Sequence, residues 1–178
     1  MNQPTQDEEF VQFVRARQGQ LLRAARLYCG DPHIAEDLLQ DAFVKLASRW
    51  ESVRDGSPDA YVRRILYRDS VSRWRKWGRE TPYAAREGER DLLDSRVVTS
   101  GVDEWVDGAD VRAALADLPP RQRAVIVLRY FEDQSEAQIA EVLGIAAGTV
   151  KSQASKALAA LRRSMPALID AGMAEGGL

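Results

Sequence analysis

Residues 135–158 constrain the fold of this chain most strongly, because they carry the spacing of a helix-turn-helix. Ala140 is small where two helices must touch, Gly144 supplies a turn, and Val150 is a branched apolar residue that packs the second helix onto the first. Ser135 and Gln138 have the spacing of a capping box at the start of the first helix. The segment therefore predicts two short helices joined by a tight turn.

Each of the two predicted helices has an apolar side and a polar side. The apolar positions at helical spacing are Ile139, Ala140, Val142 and Leu143 in the first, and Val150, Ala154, Ala157, Leu158 and Leu161 in the second. The outward positions of the second helix are Thr149, Lys151, Ser152, Gln153, Ser155 and Lys156. Ammonium groups suit phosphates, and hydroxyl and amide groups suit base edges, so this face indicates DNA binding. The alternative is a helical hairpin in an all-α core whose lysines are merely solvated.

Two further helices are predicted near the start of the chain. An apolar face formed by Phe10, Val14, Leu21, Ala25 and Tyr28 predicts an amphipathic helix from residue 7 or 8 to about 28. Gly30 ends that helix, Asp31 caps the next, and Pro32 fits its first position.

The helix that follows Pro32 is predicted to run to about Trp50 and has two contrasting faces. Its apolar residues are Ala35, Leu38, Leu39, Ala42, Phe43 and Leu46. Its polar residues are Glu36, Asp37, Gln40, Asp41 and Lys45, a pattern that by itself indicates only a solvated surface. Residues 50–57 are predicted to form a loop, with Asp55 and Gly56 in its turn.

A third long helix is predicted from Pro58, capped by Ser57, to about Trp77. Its core face comprises Val62, Ile65 and Leu66, and a basic stripe comprises Arg64, Arg68 and Arg75, with Lys76 and Arg79 nearby. Tyr67, Trp74 and Trp77 place aromatic rings beside that stripe. Arginines interleaved with exposed rings suit partly melted DNA, because guanidinium groups hold phosphates and rings stack on unpaired bases. The alternative is that the tryptophans belong to the core.

Charge is segregated along the chain, although the formal net charge is only −2. Residues 61–79 contain seven basic residues against one acidic residue, and residues 80–117 contain ten acidic against four basic. Residues 80–108 also lack periodicity, which predicts a flexible acidic linker. The next helix carries Val111, Leu115 and Leu118, Pro119 and Pro120 restart the chain, and a further helix reaches about Phe131 before a turn at 132–134. The expected division is 7–79, linker 80–108, 109–166 and a tail at 167–178.

Several classes of protein are disfavoured by composition. The single cysteine, Cys29, and single histidine, His33, allow neither a disulfide framework nor a cysteine-histidine zinc cluster within the chain. No phosphate loop or nucleophile-base pair is present, so we expect a protein that is not an enzyme and needs no metal or cofactor. The acidic start is unlike a secretory signal, and no apolar run approaches the roughly 20 residues of a membrane span. These features favour a cytoplasmic protein.

Three segments together resemble bacterial RNA polymerase sigma factors: AEDLLQDAFVKL at 35–46, AYVRRILYRDSVSRWRKWGRE at 60–80, and the stretch from LPPRQRAV through the helix-turn-helix at 118–158. The resemblance is to the extracytoplasmic-function group (group 4 of the sigma-70 family), which keeps only regions 2 and 4, and within it to an actinobacterial, SigE-like branch. It implies two small all-α domains, a region 2 helical bundle and a region 4 helix-turn-helix, joined by the acidic linker.

The resemblance also implies partners and roles. Glu36, Asp37, Gln40 and Asp41 would meet the clamp coiled coil of the β′ subunit of core RNA polymerase, and region 4 would meet the β flap. The minus-10 promoter element would be contacted by Arg64, Arg68, Trp74, Arg75 and Lys76, with a flipped base held by the 50–57 loop. The minus-35 element would be read by Thr149, Lys151, Ser152, Gln153, Ser155 and Lys156. An anti-sigma factor is a further possible partner.

Some residues depart from the family pattern. Alanine at position 146 cannot cap the recognition helix, which costs on the order of 1 kcal/mol. Gln153 and Lys156 stand where many members have arginine, and Asp69 replaces a common asparagine, so the promoter sequence read by this chain is not implied. A stand-alone helix-turn-helix regulator that binds its own operators explains residues 109–166 but gives no role to the acidic or basic-aromatic helices.

Overall fold

The computed structural model describes residues 5–69, here called the first lobe, and residues 109–165, the second lobe; all regular structure in these ranges is helical. The first lobe contains α1 (Gln6–Cys29), α2 (Pro32–Ala47), α3 (Trp50–Val53) and α4 (Pro58–Arg64). The second contains α5 (Ala109–Ala116), α6 (Pro120–Ile126), α7 (Glu136–Leu143) and α8 (Ala147–Ser164). The all-α prediction is confirmed. No helix in these two ranges is both long and apolar enough to cross a membrane.

Two helices end in wider, π-helical turns. Ile65–Asp69 continues α4, and Val127–Phe131 continues α6. The backbone N–H of Glu132 donates to the carbonyl of Val127 at 3.2 Å, a bond that spans five residues and closes the second wide turn. The two turns bring Tyr67 and Glu132 together, as described below.

Local capping explains where α1 and α2 begin and end. Thr5 and Glu8 form a capping box at the start of α1. Gly30 ends the helix in the left-handed conformation, with φ of 75°. Asp31 then accepts hydrogen bonds from the N–H groups of His33 and Ile34, at 2.9 and 3.1 Å. The predicted helix boundary at Gly30 and Asp31 is confirmed.

The predicted loop at residues 50–57 is partly wrong, because Trp50–Val53 forms the short helix α3. Trp50 is 9% exposed, and its ring lies 5.3 Å from that of Phe10 and 5.6 Å from that of Phe13, measured between centroids. Burial of the large indole against α1 pins this segment to the first lobe. The turn at Asp55 and Gly56 is retained.

One continuous apolar core runs through both lobes. The predicted apolar faces of α1, α2, α4, α7 and α8 line it, with Phe10, Val14, Phe43, Ala140, Leu143 and Leu158 only partly buried. Across the lobes, α1 packs against α5 and Val127–Phe131, while α4 packs against α7. The predicted continuation of the third helix to Trp77, the linker at 80–108 and the tail at 167–178 lie outside the described residues.

Candidate nucleic-acid interface

The helix-turn-helix forms as its spacing predicts. Ser135 accepts a hydrogen bond from the N–H of Gln138, whose side chain in turn accepts one from the N–H of Ser135 at 2.8 Å. Gly144 makes the turn with φ of 65°, and the N–H of Ile145 donates to the carbonyl of Ala140 at 3.0 Å. Val150 is completely buried, so α8 is held against α7 in one orientation.

The outward face of α8 presents a basic and hydroxylated surface. Of the six predicted residues, Lys151, Ser152, Ser155 and Lys156 are exposed, whereas Thr149 and Gln153 are half-buried. The hydroxyl of Ser152 donates to the carbonyl of Thr149 at 3.0 Å, which leaves its oxygen free to accept. Ammonium and hydroxyl groups on one rigid helix can contact phosphates and base edges together.

Two details of α8 extend the sequence-based interpretation. Ala146 precedes the helix without a side-chain cap, as its type predicts. Arg162 and Arg163 are exposed at the other end of the helix, on the same side as Lys151 and Lys156. Sequence reasoning missed these two arginines, although helical spacing continued from Lys151 would have found them.

The polar face of α2 also stands in solvent. Glu36, Asp37 and Gln40 are exposed, Asp41 is half-buried, and Glu36 pairs with Arg26 of α1 at 2.8 Å. Val44 is 70% exposed and lies one turn beyond Gln40. This apolar residue was missed; its position on an otherwise polar helix face was the available signal. An exposed apolar side chain at one end of an acidic helix face has the composition of a docking surface.

The arginines of the basic stripe that the structure describes both reach the second lobe. Arg64 Nη2 lies 3.4 Å from Glu141 Oε1 on α7. The Arg68 guanidinium covers the turn, so that a Cβ built on Gly144 would lie 3.1 Å from Arg68 Cζ. Trp74, Arg75 and Lys76 lie outside the described residues.

Tyr67 contradicts the prediction of an exposed aromatic ring beside the basic stripe. Its side chain is completely buried, and its hydroxyl donates to Glu132 Oε1 at 2.5 Å. Burial, together with the neighbouring Glu132 carboxylate, raises the pKa of the tyrosine well above its usual value. The second lobe covers the ring, so Tyr67 joins the lobes in this structure and does not face solvent.

Comparison with known proteins decides the family. The model of sigma-70 region 2 matches residues 13–80, and that of sigma-70 region 4 matches residues 109–161. The RNA polymerase sigma-E factor of Streptomyces coelicolor is 38% identical over 160 residues, covering 89% of this chain and 87% of the relative. The ECF RNA polymerase sigma factor SigM of Mycobacterium tuberculosis is 34% identical over 86% of this chain and 76% of the relative. The chain belongs to the extracytoplasmic-function sigma factors.

Solved structures resemble this sigma factor across both lobes. The sigma factor RpoE of Bartonella quintana, solved in complex with the anti-sigma factor NepR, has a TM-score of 0.65 and 28% identity, covering 88% of this chain and 98% of that one. CnrH, solved with the cytosolic domain of CnrY, has a TM-score of 0.58 and 25% identity, covering 89% and 88%. The resemblance implied by the sequence is therefore confirmed for the family and for the fold.

Proposed function

We propose that this sigma factor binds core RNA polymerase, directs it to promoters with minus-10 and minus-35 elements, and helps to open the duplex. Family membership supports a role in transcription initiation by a regulatory, non-enzymatic protein. The observation that supports the finer proposal is that one chain combines a helix-turn-helix whose basic face is exposed with a helix, α2, whose acidic face is largely exposed. Polymerase would supply the catalytic metal and the chemistry in the cytoplasm.

The polymerase-binding surface would be the outward side of α2. Glu36, Asp37, Gln40 and Asp41 give it acidic and amide groups that complement a basic coiled coil such as the β′ clamp. Such charges set orientation and association rate more than affinity. The exposed side chain of Val44 adds an apolar contact within the same patch, and the second lobe would meet the β flap.

Promoter binding would be divided between the lobes. The minus-35 element would lie against α8 in its major groove, with Lys151 and Lys156 on phosphates and the hydroxyl and amide side chains near base edges. The minus-10 element would meet Arg64 and Arg68, followed by Trp74, Arg75 and Lys76. Trp50 is core, so a flipped base would have to use the exposed residues of the 50–57 segment.

The remaining parts of the proposal concern organisation and control. Residues 7–79 and 109–166 would act as the two domains, with the acidic segment 80–108 as linker and 167–178 as tail. An anti-sigma factor is proposed as a partner, because the two similar solved structures are complexes with NepR and with CnrY.

The deciding experiment is co-elution of the purified full chain with core polymerase stripped of sigma factors, at moderate salt and without DNA. We expect a stable complex that starts transcription from a subset of promoters. A known sigma factor serves as the positive control. If that control binds and this chain runs alone, the proposal fails and operator binding by a stand-alone regulator becomes the better account.

A further inference from the structure

An open cleft of about 450 Å³ lies beside the middle of α1. One row of α1 residues, spaced four apart, runs along it: Arg15, Gly19, Arg23 and Leu27. Phe131 of the second lobe stands opposite. The volume lies within the range of roughly 300–1,000 Å³ that is usual for small-molecule sites. Its described lining includes none of the residues proposed above for polymerase or promoter contacts.

We propose that this cleft binds a nucleoside diphosphate or triphosphate, with the phosphates on the arginines of α1 and the base against Phe131. The inference goes beyond the proposed function and does not depend on it.

The polar groups of the cleft favour an anion with more than one charged group. Arg15 and Arg23 are both exposed, and eight residues separate them, which is about 12 Å of helix rise. Guanidinium groups bind phosphate oxygens with paired N–H donors. Among the described residues that line the cleft, none carries a carboxylate that would repel such a ligand. Two guanidinium groups in one row therefore suit a chain of phosphates.

Gln20 adds a neutral donor whose orientation is fixed from behind. Its Oε1 accepts a hydrogen bond from Arg17 Nη1 at 3.5 Å, and Arg17 Nη2 pairs with Asp59 of α4 at 2.8 Å. Because the amide oxygen is used by Arg17, the amide NH₂ group is the part of Gln20 that can serve a ligand. An amide donor beside two guanidinium groups again selects for acceptor oxygens.

Small residues leave room for the ligand along α1. A Cβ built on Gly19 meets nothing within 4 Å, so the space above this residue is open. Ala16 and Ala24 also line the cleft, and neither has a side chain longer than a methyl group. A ligand can therefore lie close to the helix between the two arginines.

An apolar wall completes the cleft on the side of the second lobe. Phe131 is half-buried at the end of the wide turn Val127–Phe131, and Leu27 is buried at the end of the row. Wide turns of this kind recur at functional sites. An aromatic ring offers a face on which a planar base can stack. Phosphate donors next to an aromatic ring match the two halves of a nucleotide.

The test is calorimetric titration of the full chain with ADP and with GDP, at moderate salt and without polymerase or DNA. We expect one site with a dissociation constant on the order of 100 μM or tighter. Adenosine keeps the ring and pyrophosphate keeps the phosphates. Each should bind at least about tenfold more weakly than ADP, because each lacks half of the contacts.

Gly19→Leu is the sharpest variant, because it fills the cleft without disturbing the core. Leucine is also a better helix former than glycine, so the melting temperature should not fall. Nucleotide affinity should drop at least about tenfold. Gln18→Leu is the matched control: it adds the same side chain at the neighbouring exposed position, outside the cleft lining, and should bind like the parent.

Arg15→Gln tests the phosphate contact and should also weaken nucleotide binding about tenfold. Arg49→Gln removes one charge from another exposed position of the first lobe and should change the affinity less than about twofold. Both variants keep the acidic face of α2 and the basic face of α8. Binding to core polymerase and to a minus-35 duplex should therefore be unchanged.

Three results would overturn the nucleotide site. The first is that neither ADP nor GDP binds at about 1 mM. The second is that folded Gly19→Leu binds as tightly as the parent. The third is that pyrophosphate binds as tightly as ADP, since the ring of Phe131 would then have no role. Failure of polymerase co-elution is scored separately and concerns only the proposed function.

Discussion

Arg123 donates a hydrogen bond from Nη1 to the backbone carbonyl of Tyr28, 95 residues away, at 2.9 Å. Its Nη2 donates to the carbonyls of Ala116 and Leu118 at 2.5 and 3.0 Å. One arginine that is 3% exposed therefore ties the end of α1 to the link between α5 and α6. The planar guanidinium group of arginine is suited to this role, because its N–H groups can donate to several fixed carbonyl oxygens at the same time.

Replacing Arg123 with alanine should lower the free energy of unfolding by about 3 to 5 kcal/mol, because three carbonyls lose charged donors. Arg123→Lys should not restore the lost stability, since a single ammonium group cannot reproduce the arrangement of N–H donors on a guanidinium group. Urea denaturation measures the change. Arg129→Ala is the control: it removes a half-exposed pair with Glu136 and a guanidinium that lies 5.7 Å from the centre of the Tyr130 ring, and it should cost about 1 kcal/mol. Equal losses would contradict this role.

Gly144→Ala should destabilise the chain by about 1 to 2 kcal/mol, because φ of 65° disfavours a side chain. The new methyl group would also crowd the Arg68 guanidinium. Gly19 in α1 provides the contrast: a Cβ there meets nothing within 4 Å, and alanine should stabilise the helix by about 0.5 to 1 kcal/mol. Opposite shifts in the urea midpoint are expected, and a neutral Gly144→Ala would argue against the strained turn.

Asp37→Lys should weaken binding to core polymerase about tenfold or more while leaving the circular dichroism spectrum unchanged. The carboxylate is exposed on α2, so its reversal alters the charge of the docking face without disturbing the core. Titration with labelled core polymerase measures the affinity. Asp55→Lys, in a first-lobe turn with 89% of its side chain exposed, should bind normally. Unchanged binding by Asp37→Lys would remove the proposed role of this face.

Lys151→Ala combined with Lys156→Ala should weaken binding to a minus-35 duplex and flatten its salt dependence. Each lost phosphate contact removes about 0.9 from the slope of log affinity against log salt, so the double variant should lose about 1 to 2. Binding is measured by fluorescence anisotropy over a salt series. Arg15→Ala with Arg49→Ala removes the same charge from exposed first-lobe positions and should leave the slope intact. If both pairs behave alike, α8 is not the contact surface.

The features that the sequence predicted best are those determined by residues a few positions apart in the chain. Ser135 and Gln138 cap a helix three residues apart, and Gly30 and Asp31 end one helix and begin the next. The spacing of apolar residues was likewise sufficient to predict the buried sides of α2 and α8, because the period of the α-helix fixes which residues share a face. The boundary between α7 and α8 followed from the spacing of Ala140, Gly144 and Val150.

The features that sequence missed depend on partners far along the chain. Tyr67 was expected at the surface, yet it is covered by the second lobe and bonded to Glu132, 65 residues away. Trp50 was placed in a loop, yet its ring needs Phe10 and Phe13 of α1. Nothing in the local pattern around either residue distinguishes a ring that faces solvent from one that another segment covers.

The apolar core shared by both lobes gives their separation a characteristic dependence on temperature. Opening exposes apolar side chains to water, which raises the heat capacity. The free energy of closure then follows a curve with a maximum, so cooling and heating away from that maximum both favour opening. Temperature would thereby change the fraction of molecules in which the two lobes are apart.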